Sequence, residues 1–149
     1  MNAKARIGLI TMLAAVAALQ CAQAHDGPGA KRTCDVSMLH GLYLFKGTGY
    51  ASLNGETKPK AVLGTVRFNG DGTASTETLN LTIAGLPPMT HNGDPGTYTV
   101  EPDCTGTVSF APNGPTWAII VVSSKFFSQI QTGGPDHGTF QGDNWFISR

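Results

Sequence analysis

Charge of either sign is scarce in this 149-residue chain: ten Lys and Arg stand against ten Asp and Glu, together 13% of the sequence. No block of like charge occurs, so neither a nucleic acid nor an anionic membrane surface has a footprint here. The common catalytic signatures are missing as well. Without a GxSxG, HExxH, phosphate-binding P-loop or CxxC, the usual serine hydrolases, zinc peptidases, nucleotide hydrolases and thiol oxidoreductases drop out. No stretch carries a convincing amphipathic helical pattern. After the first 24 residues no apolar run is long enough to cross a bilayer as a helix; Trp117 to Val122 is strand-sized against the ~20 residues a span requires.

What the chain does have begins with an export signal. Lys4 and Arg6 precede an apolar stretch from Ile7 to Leu19, and Ala22-Gln23-Ala24 places small residues where signal peptidase cuts, so residues 1–24 are expected to be removed before His25. Cys21 is a poor lipidation site because Gln20 before it is bulky where Gly, Ala or Ser is wanted. The expected product is periplasmic or secreted, with residues 25–33 as a flexible lead rich in Gly, Pro and charge, and residues 34–149 as one folded domain. Cysteine is nearly absent from it: of three, Cys21 leaves with the signal. Cys34 and Cys104 remain, an even pair in an oxidising compartment, and are expected to form a structural disulfide.

The body of the domain alternates with a period of two. Gly96 to Phe110 reads as a hairpin around Pro102-Asp103, with Tyr98, Val100, Val108 and Phe110 on one face and threonines and a serine on the other. Val62, Gly64, Val66 and Phe68 alternate with Leu63, Thr65 and Arg67 before Asn69-Gly70-Asp71-Gly72, a sequence that supplies the positive φ angles of a tight turn. Thr73 to Ala84 then returns. Gly41 to Phe45 and Trp117 to Val122 are apolar at every position or nearly so, the pattern of strands covered on both faces. Phe126 to Gln131 and His137 to Ile147 complete eight strand candidates, with a short helical turn between Cys34 and Leu39. An antiparallel meander of that size hides its edges by closing, so the predicted fold is all-β: a single closed or nearly closed antiparallel barrel. Such a barrel is either filled by side chains or holds one small ligand.

A resemblance adds to this reading. Cys34, Leu39-x-Gly41-x-Tyr43-x-Phe45, Gly64-x-Val66-x-Phe68-x-Gly70-x-Gly72, Gly96-x-Tyr98-x-Val100-x-x-x-Cys104-Thr105-Gly106 and Ile130-Gln131-Thr132 before a Gly-rich turn occur in that order. The set resembles a family of small exported bacterial proteins, mostly uncharacterised, whose predicted barrel is similar to the allene oxide cyclase and dirigent group. The likeness spans Cys34 to about Gly142. Phe126-Phe127 and the aromatic tail Asp143 to Phe146 depart from the pattern. What the onward similarity implies is a barrel; a shared fold carries no activity with it.

Strict alternation through Thr73 to Ile83 would put Glu77 on the face of Leu79, Leu81 and Ile83, making an inward carboxylate with a raised pKa and a candidate general acid or base. Tyr43, Tyr98 and Trp117 are the other candidate ligand contacts, while Arg67 and Gln131 lie out of phase with their apolar neighbours and are expected at the surface. His25, His40, His91 and His137 lack the paired spacings of a metal site, and Asn69 to Gly72 lacks the acidic ligands of a calcium loop, so no metal and no cofactor is expected. Phe126 and Phe127 must point to opposite sides of a strand, which would leave one outside as a contact for a partner or a second copy, so a homo-oligomer is possible. The expectation is a non-catalytic barrel that binds a small apolar molecule or a protein partner. The alternatives are a cofactor-free cyclase or isomerase built on Glu77, and a surface interaction or antigenic protein without a pocket.

Overall fold

The computed structural model describes residues 33–149. The expected signal segment, and the lead up to Arg32, lie outside the described residues. Nine strands follow a single turn of 3-10 helix (Val36–Met38): β1 (His40–Leu53), β2 (Glu56–Asn69), β3 (Thr73–Ile83), β4 (Met89–His91), β5 (Pro95–Val100), β6 (Thr105–Phe110), β7 (Thr116–Ser123), β8 (Phe126–Gly133) and β9 (Thr139–Ser148). All pairings are antiparallel. Since β1 bonds to both β2 and β9, and β3 to both β2 and β5, eight strands close into a barrel in near-meander order. The ninth, β4, was not foreseen. It lies between Gly85 and Pro95, where Gly85-Leu86-Pro87-Pro88 and Asn92-Gly93-Asp94-Pro95 predict a loop, and pairs with β3 alone.

Local chemistry explains the sharp reversals. Leu53 pairs with Glu56, leaving Asn54 (φ 53°) and Gly55 (φ 82°) as a two-residue turn whose positive φ angles only Asn and Gly take readily, so the chain folds back on a 14-residue hairpin. At the other end of that hairpin, Asp71 accepts the Thr73 N–H at 2.9 Å and closes the turn into β3.

One end of the barrel is sealed. Asp35 accepts the Ser37 N–H at 2.8 Å and starts the 3-10 turn, and Leu39, fully buried, carries the chain inward to β1. The Tyr98 hydroxyl lies 2.8 Å from the Val36 carbonyl and 2.9 Å from that of Leu39, tying the turn to β5. Cys34 and Cys104 are joined in a disulfide, Cα atoms 5.0 Å apart, beside the Cys34 N–H bond to the Pro102 carbonyl. Below this cap the interior is aromatic: Phe68 meets Tyr98 edge-on at 4.9 Å and Tyr43 at 5.5 Å, and Tyr43 touches Phe127 and Phe146.

Two expectations about faces are corrected. In β7, Trp117, Ile119 and Val121 are buried, but Ile120 and Val122 stand 59% and 52% exposed, so its continuous apolar run faces solvent on one side. In β8 the inward residues are Phe127, Gln129 and Gln131, and Ile130 is the exposed one. Phe126 and Phe127 do split as expected: Phe127 is buried, whereas Phe126 packs its ring on Trp145 at 5.9 Å on the outer side.

Candidate functional site

The opposite end of the barrel is where the wall is incomplete. Strand β6 ends at Phe110, and β4 bonds to β3 on one edge and to no strand on the other. A gap therefore opens beside β4. The segment Ala111–Pro115 folds across it, held by the Ala111 N–H to the Pro95 carbonyl (3.0 Å) and the Gly114 N–H to the Phe110 carbonyl (2.9 Å). A Cβ on Gly114 would fall 2.6 Å from that of Phe110, so only glycine lets this loop lie so close.

Beneath the loop is a recess of about 290 Å³. Leu79, Leu81, Phe110, Pro112 and Trp117 make its apolar walls, and Trp117 is itself fixed between Phe45 and Phe110 with ring centres at 5.3 and 5.0 Å. Two wider hollows of about 820 and 850 Å³ share Thr48, Ala61, Ile130 and Gln141, side chains on the outer face of the sheet, of which Ile130 is 49% exposed. The smaller recess is the one whose lining brings Lys60, Gln131 and Asp136 together.

That chemistry comes from three residues far apart in sequence. Lys60, on the inward face of β2 with its side chain only 3% exposed, places Nζ 2.5 Å from Asp136 Oδ2 and donates to Gln131 Oε1 at 2.7 Å. Gln131 Nε2 donates to Asp136 Oδ1 at 2.9 Å, and the Gly138 N–H reaches the same oxygen at 3.3 Å. Burial alone would raise the Asp136 pKa. The hydrogen bonds from Lys60 and Gln131, the ammonium charge and the Gly138 N–H outweigh it, and the carboxyl is held below its ordinary value. At the rim His91 Nδ1 is 4.0 Å from Asp94 Oδ2, both about half exposed, while buried Thr76 receives and returns backbone bonds with Gly93 and Asp94.

Of the residues singled out from sequence, Trp117 lines this recess. Tyr43 and Tyr98 do not. Their hydroxyls, on Ser124 and on the cap carbonyls, are spent at the sealed end, and burial pushes both phenols above their ordinary pKa. Glu77 is displaced from its expected face. Thr65 pairs with Thr78 but Val66 with Thr76, so Glu77 is the extra residue of a β-bulge, turned outward onto Arg67 at 2.7 Å with both side chains well exposed. Gln131, expected outside, is buried in the site.

Lys60 and Asp136 were missed, though Lys60 was legible: stepping the alternation of Phe68, Val66, Gly64 and Val62 back once more lands on it. Asp136, in a Gly-Pro turn, carries no comparable signal. Deeper on β8, both amide atoms of Gln129, and Oδ1 of Asn144 on β9, are buried with no partner among the described residues. No group of three or more His, Cys, Asp or Glu among the described residues could hold a metal ion, and His25 lies outside them. No described helix is long and apolar enough to cross a membrane. Comparison of the chain with protein-family models, curated proteins and solved structures finds no match.

Proposed function

We propose that this protein is an exported, non-catalytic barrel that binds one small, mostly apolar molecule in the recess at its open end. The observation that carries the reading is the conjunction of a partly open hollow with apolar walls and a buried Lys60–Gln131–Asp136 cluster on its lining. Ligand sites have this composition, apolar walls with a few placed polar groups, and 290 Å³ is at the small end of their usual ~300–1,000 Å³ range. The occupant is thus fragment-sized. A disulfide closing a 70-residue separation suits a protein that works outside the reducing cytoplasm, in line with the expected signal segment.

The cyclase alternative relied on an inward Glu77, and that carboxylate sits on the outer surface. The likeness to the exported family and to the cyclase and dirigent barrels stays an inference from sequence order alone. To test the reading, a fluorescent apolar probe is titrated into the disulfide-intact protein. Saturable binding that disappears in Leu79→Trp, which fills the recess, and survives Ile120→Ser on the outer wall is the expected result. Binding that follows Ile120 instead would favour the exposed β7 and β8 face, and with it a protein partner.

A further inference from the structure

Resting on that reading, we infer that the recess selects a neutral molecule carrying a hydrogen-bond acceptor, such as a ketone, aldehyde, ester or lactone, over a carboxylic acid of the same shape.

The donor and acceptor inventory of the cluster leads there. A lysine ammonium has three N–H groups and a glutamine amide two. Lys60 uses one on Gln131 Oε1 and one on Asp136, and Gln131 uses one on Asp136 Oδ1. One N–H of each is left over, on side chains that are 6% and 6% exposed and that line the recess. The acceptors each carry at least one bond already. Gln131 Oε1 is taken by Lys60, Asp136 Oδ2 by Lys60, and Asp136 Oδ1 by both Gln131 and the Gly138 N–H. The cluster therefore keeps one N–H on Lys60 and one on Gln131 to give to an acceptor on the occupant, beside one lone pair each on Gln131 Oε1 and Asp136 Oδ2.

Charge decides which acceptor. The positive Lys60 is already neutralised by Asp136, whose carboxyl is kept ionised by the same contacts. The rim adds the carboxylate of Asp94. A carboxylate entering this space would meet one paired cation and two anions, and would have to shed its hydration in a mostly apolar hollow. A carbonyl oxygen accepts the same N–H groups without that penalty. A molecule with no acceptor would leave both N–H groups buried and unmet, which is also unfavourable.

The experiment uses three matched probes, 4-phenylbutan-2-one, 4-phenylbutanoate and butylbenzene, titrated calorimetrically into the disulfide-intact protein at pH 7. The ketone is expected to bind about tenfold or more tightly than either of the others, the usual worth of a hydrogen bond from a charged donor. All binding is expected to be lost in Leu79→Trp. In Lys60→Met/Asp136→Leu, which substitutes apolar groups for the ion pair, and separately in Gln131→Met, the ketone is expected to fall towards butylbenzene while butylbenzene itself still binds. If the acid binds as tightly as the ketone and Leu79→Trp still abolishes both, the preference for neutral acceptors is wrong while the recess remains the binding site. If no probe binds, or Leu79→Trp changes nothing, the reading of the recess as a site fails, and this inference with it.

Discussion

The Lys60–Asp136 pair should be the most sensitive polar contact in the domain, and removing the anion should cost more than removing the cation. Lys60 is the deeper partner, with 3% of its side chain exposed against 14% for Asp136. In Asp136→Leu the ammonium loses its counter-ion and keeps one of its two side-chain acceptors, Gln131 Oε1 at 2.7 Å. Stripping one partner from a buried pair costs ~3–5 kcal/mol, and the surviving glutamine contact argues for the lower end, about 3 kcal/mol. At roughly 4 °C per kcal/mol for a domain of this size, the melting temperature should fall by about 12 °C.

Lys60→Met leaves a carboxylate that keeps its Gln131 and Gly138 donors and some access to solvent, so about 1–2 kcal/mol is expected. The double variant Lys60→Met/Asp136→Leu has no stranded charge and should lie within about 1 kcal/mol of wild type. Urea unfolding of the four proteins, disulfide intact, closes the cycle and should return a coupling of about 4 kcal/mol. The acid limb supplies a second reading. Because the folded Asp136 titrates below its unfolded value, its contribution is fully present above the unfolded pKa of about 3.9 and is lost as pH falls through the folded pKa. Wild type should therefore lose stability below about pH 4 more steeply than either variant lacking Asp136. A loss under ~1 kcal/mol in Asp136→Leu, or a double variant as unstable as that single one, would refute the reasoning that the ion is deeply buried.

Three further outcomes follow from the same structure. Gln129→Leu should be neutral or stabilising, because neither amide atom has a partner to lose among the described residues, whereas Gln131→Leu should cost about 1–3 kcal/mol by removing one acceptor from Lys60 and one donor from Asp136; thermal melts of the two separate the cases. Replacing both Cys34 and Cys104 by Ser should lower unfolding stability by about 4 kcal/mol in the chain-entropy account, measured against urea, since it frees the cap over the sealed end. Glu77→Ala should change stability by less than ~1 kcal/mol, as an exposed ion pair with Arg67 is all it removes; a large loss would mean that the bulge is held by that carboxylate.

Much of the architecture was written locally. The alternation, the Asn-Gly and Asp-Gly turns, the short turn begun by Asp35 and the two cysteines of the folded part together determined an all-β closed meander with one disulfide. Each of these is a property of a few neighbouring residues. A period of two separates a strand's faces but does not say which one is inside, and the errors lay there. Where both faces were apolar, as in β7, or the inward face was polar, as with Gln129 and Gln131 in β8, the pattern was silent or misleading. One inserted residue at Glu77 reversed parity, which no local propensity announces. The candidate site was hidden for the same reason at longer range. Lys60 and Asp136 are 76 residues apart and meet only because closing the barrel brings the β8–β9 connection over β2, and the hollow they line exists because β6 stops short of β4. Closure is a property of the whole sheet, so the recess and its chemistry were decided only when every strand was in place.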